Sequence, residues 1–528
     1  MQRRDFIKGS IAAAGAVGVG ANRACGAVRA HNWDKYDFGS GPVVKDRLNQ
    51  GPFPQYAPDA AIPSDEVVMT TIPTEEVVSH FGKGLVTYIT ADMGTEEIKS
   101  GNVSQEIQDL VEFPLGQLIY LRPTWREVQS RPARLDLPEY FKLALDLARK
   151  NKKRVGLRVQ MCAPDYAHEA ALPDFLLNKV PKVDLVLGDV GPEDRTAAQR
   201  FIDNPHSRYQ PRFDDPYFQQ CFKELVGLLA AEFNGDPLVE FVDTFMYGFW
   251  GEGHTWPFAN NPFPDYYTAE RTWVEMLNVQ LDNFTKTPLL TNTQPDFSRV
   301  GNSELLDRTV RSNNWIRSDT IFIENEQIEA LSSRPPWTAA LLEQGLPGKP
   351  PDPRAAHEGV SPTENMISHV MDIGVNYFSL WNFHQIGAKN LESYYRAYPK
   401  WFDRINRRIG YSIRPSFLWS YNDGDHRGLI VGFANDGIAG VPGVLRVTVE
   451  SEDGKTLVSG CLDAGYPLPG RIRQAQFILP AGIKWQGVKL KAEIEVKGMR
   501  YPVRWACHQA LNSDGSLTLR PNLHQEVQ

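Results

Sequence analysis

The chain has 528 residues, 42% of them hydrophobic and 11% aromatic, enough to bury at least one large core. A formal net charge of −8, with no basic aromatic patch, argues against a nucleic-acid partner. Cys162, Cys221, Cys461 and Cys507 are too widely spaced for a zinc motif.

The first residues, Gln2-Arg-Arg-Asp-Phe-Ile-Lys8, precede a small-residue apolar run from Ile11 to Gly20. The run is too short and glycine-rich to span a bilayer, so no membrane span is expected there. The paired arginines, the short apolar stretch and small residues near Val28 and Ala30 resemble a twin-arginine export signal. That implies residues 1–30 as a signal, cleavage near Ala30 and a periplasmic or secreted protein beginning at His31. Cleavage would remove Cys25; in an oxidising compartment Cys461 and Cys507 could pair, and four buried free thiols are the equal alternative. Residues 31–79, rich in Pro, Asp and Asn, read as an extended arm.

From residue 80 to 414, short apolar runs alternate with longer amphipathic ones, the pattern of repeated βα units. Strands are expected at 84–90, 115–121, 154–160, 241–247, 288–292, 320–324, around 354–358, and at 375–381. Helices are expected at 138–149, 216–233, 269–284 and 363–373, the last opened by Thr363 as N-cap. Eight such units predict an α/β fold, a (β/α)8 TIM barrel with its reactive residues where strands end. An open doubly wound sheet lacks support, because no glycine-rich phosphate loop follows the first strand. Residues 184–212 form a long insertion beside the third unit. From 415 to 528, short alternating runs broken by Gly, Asp and Pro predict a C-terminal all-β sandwich.

The segment Tyr247-Gly-Phe-Trp-Gly-Glu-Gly-His-Thr-Trp256 sets one carboxylate, Glu252, among glycines, aromatics and His254 at the end of the fourth expected strand. Glycines let backbone approach a ligand closely, and indoles supply flat faces for sugar rings. A carboxylate there is placed as a barrel enzyme's general acid, with Phe249 and Trp250 as an apolar wall to raise its pKa. Other strand ends supply mouth candidates: Asp92; Arg122 and Trp125; Asp165 and Tyr166; Asn292 and Gln294; Trp381, Asn382 and His384. Arg122 could meet an acidic sugar or tune Glu252 downwards. No His-Glu-x-x-His spacing joins His254, His357 and His384, and no cofactor motif is present, so neither metal nor cofactor is expected.

Phe213-Asp-Asp-Pro-Tyr217, then Gly235-Asp-Pro-Leu-Val-Glu-Phe-Val-Asp243, Trp250-Gly-Glu-Gly-His254 and Asn406-Arg-Arg-Ile-Gly-Tyr411 resemble bacterial barrel proteins related to clan A glycoside hydrolases. The nearest group is a poorly characterised bacterial glycosidase-like family with WGEWH-like and RLGYR-like motifs. The resemblance implies an acid/base Glu ending strand four, matched by Glu252, and a nucleophile Glu ending strand seven. Gly251 stands where clan A usually has Asn. Glu358 and Glu324 compete for the second role, with Glu326 third. Trp381 becomes the stacking candidate at the end of strand eight. The expected function is an exported glycoside hydrolase acting on an oligo- or polysaccharide of plant, algal or microbial origin through two carboxylates. The alternatives are a non-catalytic carbohydrate-binding protein on the same scaffold and an assembly protein working through the β domain.

Overall fold

A computed structural model describes residues 41–53, 66–90, 103–162, 170–192, 195–293, 302–321, 330–344, 359–381, 387–422, 427–480, 483 and 488–519. Eight parallel strands close into a barrel: β1 (Gly84–Thr90), β2 (Leu118–Arg122), β3 (Arg154–Leu157), β4 (Val239–Asp243), β5 (Leu289–Asn292), β6 (Trp315–Thr320), β7 (Ala340–Glu343) and β8 (Tyr377–Trp381). They neighbour one another in chain order, and β8 closes the ring on β1 with Tyr377 opposite Gly84 and Phe378 opposite Leu85. Helices α1 (Val103–Glu112), α2 (Glu139–Lys150), α3 (Pro216–Phe233), α4 (Tyr266–Asn283), α5 (Asn302–Arg311) and α6 (Pro362–Ile373) lie between strands. After β8 come α7 (Ala388–Ala397) and α8 (Pro399–Arg408).

Local chemistry sets these boundaries. Pro216 opens α3 with its fixed φ, and the Asp215 side chain accepts from the N–H groups of Tyr217 and Phe218. The N-cap of α6 is Ser361, two residues earlier than the expected Thr363, because its hydroxyl accepts from the Glu364 N–H. Gly374, at φ 71°, ends that helix in the left-handed conformation.

Two expected strands were displaced. The sixth is β6, Trp315–Thr320, which ends where the expected run 320–324 began. The seventh is β7, Ala340–Glu343, and not a run around 354–358. The reason is physical: β6 turns Arg317 and Asp319 inward, and β7 has only four residues, so neither gives a long apolar signal. The fourth strand also stops at Asp243, which leaves Tyr247 in the loop beyond it.

Strand alternation divides the barrel between two cores. Outward side chains such as Leu85, Ile119, Leu157, Val242 and Leu342 pack beneath the helices. Inward ones form an aromatic layer, with Tyr120 4.8 Å from Tyr88 and 5.7 Å from Phe241, and Phe241 5.4 Å from Tyr377. Gly156 makes this layer possible, since a Cβ there would run into the Phe241 ring.

The C-terminal region is a pair of antiparallel sheets, consistent with a β-sandwich. Its strands are β9 (Ile413–Asn422), β10 (Arg427–Asn435), β11 (Val444–Glu450), β12 (Thr456–Cys461), β13 (Ile472–Leu479), β14 (Lys489–Val496) and β15 (Met499–Val503). One sheet runs β13-β10-β9, extended by Asn49–Gln50 beside β13 and by Glu66–Thr70 beside β9. The N-terminal segment therefore completes the sandwich as well as leading into the barrel. The other sheet runs β12-β11-β14-β15.

This region closes the amino-terminal end of the barrel. Tyr501 stacks on Phe81 at 3.5 Å, and Phe81 lies 5.5 Å from Trp315 on the barrel floor. Lys497 Nζ donates to the Phe284 carbonyl at 2.5 Å and to Asn314 Oδ1 at 2.8 Å. Buried Lys83 donates to Ser412 Oγ at 3.2 Å, and Glu240 accepts from Arg154, Tyr377 and the Gly82 N–H. The opposite, carboxyl-terminal end is left for a site. Cys162, Cys221, Cys461 and Cys507 are all buried free thiols, so Cys461 and Cys507 are not paired. Among the described residues no helix is long and apolar enough to cross a membrane.

Candidate active site

The loop after β4 is wound tightly. Gly248, Trp250, Gly251 and Gly253 all have positive φ, at 89°, 53°, 80° and 81°. Trp250 is the exception to the glycine rule and stores strain in that conformation. Its N–H donates to the Cys162 carbonyl at 2.6 Å, and Phe249 N–H donates to the His254 carbonyl at 2.8 Å. A Cβ on Gly253 would run into the Trp273 ring. The winding turns the side chain of Glu252 back over the barrel interior, where it is 4% exposed.

There it enters a buried ionic network built by β3, β4, β6 and β7. Arg317, on the inner face of β6, uses each of its nitrogens on a different acid. Nε lies 2.7 Å from Asp243 Oδ2, one Nη 2.6 Å from Glu252 Oε1 and the other 2.7 Å from Glu343 Oε1. Arg158, just past β3, adds contacts of 3.2 Å to Asp243 and 3.1 Å to Glu252. Tyr88 donates to Glu343 and Tyr120 to Asp243. His254 Nε2 lies 3.5 Å from Glu252 Oε2. Five acidic and basic side chains are buried together here, and each has a partner of opposite type within 3.2 Å, as burial of such groups requires.

The electrostatics differ from the expectation at Glu252. Burial alone would raise its pKa, but Arg317, Arg158 and His254 outweigh burial and hold the carboxyl well below the usual carboxylate range. The Phe249 and Trp250 wall therefore does not make it a resting acid. Asp243 moves the other way, because burial pushes its pKa up in spite of the same two guanidiniums. Burial and Glu343 together push the Tyr88 hydroxyl far above its ordinary value, so it stays a donor.

Glu343 ends β7 and was not foreseen. One oxygen each of Glu252, Asp319 and Glu343 lies within 4.8 Å of the others, so three acids share one small volume at the carboxyl ends of the strands. A cation could accept such a spacing, beside the contacts that Arg317 makes with Oε1 of Glu252 and Oε1 of Glu343.

The remaining candidates fall at varied places. Asn292 ends β5 with its Nδ2 3.5 Å from the Glu252 carbonyl, and half-buried Trp250 lies 5.8 Å from both His254 and Phe201. Buried Arg122 lies over the Tyr88 ring at 5.3 Å; the guanidiniums against Glu252 are those of Arg158 and Arg317. Trp125 is corrected: its ring is fully buried outside the barrel, 5.7 Å from Phe218, with Nε1 on Gln129. It fills a helix contact and cannot stack on a ligand at the mouth. Trp381 closes β8, its Cα paired with Thr87. Asp92, Asp165, Tyr166, Gln294, Glu324, Glu326, His357, Glu358, Asn382 and His384 lie outside the described residues. Asp243, Arg158, Arg317, Asp319 and Glu343 were missed. Their one sequence signal is alternation, as in Arg317 and Asp319 two apart on β6.

The fold and site define a closed (β/α)8 barrel with clustered acids at its carboxyl end. No family model and no curated protein matches the chain. Similar solved structures include GH5_18 from Streptomyces cattleya in complex with GlcNAc, at 11% identity and TM-score 0.35, over 56% of this chain and 70% of that one. Endo-glycoceramidase II from Rhodococcus sp., as a lactosyl-enzyme intermediate, matches at 10% identity and TM-score 0.36, over 78% and 100%. The catalytic domain of a beta-amylase from Paenibacillus polymyxa matches at 10% and 0.36, over 57% and 92%. These neighbours are glycoside hydrolases, and at such values the likeness does not extend to chemistry.

Proposed function

We propose that the protein is an exported glycoside hydrolase that cleaves a glycosidic bond in a plant, algal or microbial glycan with Glu252 and Glu343 as its facing carboxylates. The observation that carries this reading is their meeting: one follows β4, the other ends β7, and an oxygen of each lies within 4.8 Å of the other. Glycosidic cleavage needs one acid to protonate the leaving oxygen and a carboxylate to meet the oxocarbenium-like centre. An approach this close leaves no room for the water that an inverting pair, about 6.5–9.5 Å apart, holds between its carboxyls. Glu343, ion-paired with Arg317 and accepting from the Tyr88 hydroxyl, has the partners of a nucleophilic carboxylate. Glu252, held ionised, stabilises positive charge at the anomeric carbon.

The test is hydrolysis of a panel of glycans and aryl glycosides by the wild type, Glu343→Gln and Glu252→Gln. Each variant should lose at least about 100-fold in turnover while keeping the wild-type circular dichroism. Wild-type activity in Glu343→Gln would remove the assignment.

A non-catalytic sugar-binding barrel is the second reading, favoured by one observation. Arg317 ties Glu252 and Glu343 together as a structural ion-pair network would. It predicts measurable saccharide binding with no turnover of any panel member.

A further inference from the structure

We propose that Arg122, at the end of β2, binds a carboxylate on the sugar whose bond is cleaved, so that the substrate class is a glycan containing uronic acid; this rests on the glycosidase reading above. Strand alternation places the side chain. Tyr120 points into the barrel and Leu121 packs outward beneath the helices, so Arg122 turns inward one layer above Tyr120. Register sets its neighbours. Thr90 lies opposite Arg122 on β1, and Leu121 opposite Leu157 brings Arg122 level with Arg158.

The two guanidiniums on this wall have unlike surroundings. Arg158 meets Asp243 and Glu252 at 3.2 Å and 3.1 Å. Arg122 is 4% exposed, and among the described residues no carboxylate comes within ion-pair distance of it. Its neighbours are neutral. Gln160, with its amide oxygen toward the guanidinium, accepts from Nε at 3.1 Å and from one Nη at 3.2 Å. The Tyr88 and Tyr120 rings lie 5.3 Å and 5.8 Å from Cζ. Ring faces and an amide oxygen suit a cation without neutralising it, and a buried charge lacking a counter-ion is costly. Two of the guanidinium's N–H donors go to Gln160, which leaves the edge formed by the two Nη groups. That edge matches a carboxylate, whose two oxygens take parallel hydrogen bonds from one guanidinium. Tyr88 ties this place to the chemistry, because the ring beside Arg122 is the one whose hydroxyl donates to Glu343. An acid on the sugar that Glu343 attacks would complete both contacts. Docked instead beside Asp243, Glu252 and Glu343, the same acid would meet like charge.

The experiment compares nitrophenyl glycosides of one anomeric configuration that differ in a single group: a uronic acid, its methyl ester and the parent hexose. Wild type should favour the uronic acid over both others by at least about 30-fold in kcat/KM, the range that breaking one buried charge pair gives. Arg122→Met should bring the ratio of uronic acid to hexose near one. Arg122→Lys, which keeps the charge without the paired donors, should hold an intermediate ratio. A wild type that hydrolyses the hexose or the ester as well as the uronic acid overturns the inference and leaves the glycosidase reading standing. So does an Arg122→Met that keeps the wild-type ratio. The ester comparison needs no variant, so it decides the matter even where Arg122→Met does not fold. If none of the glycosides is hydrolysed, the glycosidase reading falls and calorimetric titration judges Arg122 by itself. A uronic acid disaccharide should then bind wild type at least about 30-fold tighter than its neutral counterpart, and equal affinity overturns the inference.

Discussion

Arg317 is the residue on which the interior depends most, because one planar fork meets three acids, from β4, the loop after it and β7. Removing one partner from a buried ionic set leaves uncompensated charge and costs about 3–5 kcal/mol. Arg317→Met should lose at least that much in urea unfolding, and Arg317→Lys should recover little, since an ammonium cannot reproduce three divergent N–H directions. Gly253→Ala is the matching test of the loop. Its φ of 81°, and the Trp273 ring in the space a methyl would need, predict a loss of about 2 kcal/mol or more in the same measurement. At this scale the sequence was half legible. Glu252 stood out because glycines and indoles crowd it. Glu343 did not, because Ala340-Leu-Leu-Glu343 looks like any short buried run and carries no turn residue.

The elements were most legible where side chains obey the usual alternation. The expected run 84–90 is β1 itself, and β5 and β8 fall inside their expected runs. β6 and β7 escaped because this barrel fills the upper part of its interior with charge, so its inward positions read as solvent-facing ones. The strand Glu66–Thr70 shows the converse, a short segment whose role is visible only from its partner. It covers the edge of β9, pairing Thr70 with Phe417 and Met69 with Leu418. A chain starting at residue 72 would leave that edge open, and an open edge is a template for association. Size-exclusion chromatography should then show oligomers or aggregate, against the profile of a chain starting at residue 41.

Over the whole molecule, barrel floor and sandwich share one apolar cluster, in which Tyr377 and Trp315 meet Tyr411, Phe433 and Trp505. Calorimetry should accordingly give a single transition, and two resolved transitions would contradict the shared core. Lys83 lies in this seam, 1% exposed, and burial, helped by Arg154, lowers its pKa to about 7. The unfolded chain keeps a pKa of about 10.4, so between those values it binds more protons and stability rises with pH. Below about pH 7 the full cost of the buried charge remains, on the order of 4 kcal/mol at about 1.36 kcal/mol per unit. Lys83→Met should thus melt higher than wild type at pH 6, with the gap closing as pH approaches 10. The two-part architecture was readable from composition shifts along the chain. The seam was not, since it joins residues far apart in the chain, as Lys83 and Ser412 are. The shared guanidinium has a last consequence for turnover. Asp243, Glu252 and Glu343 all face Arg317, and Asp319 stands beside two of them, so acids outnumber guanidiniums in that cluster. Esterification of Glu343 would take away one of the three acids that face Arg317, so the guanidinium would lean on Asp243 and Glu252 alone until hydrolysis of the ester returned the third.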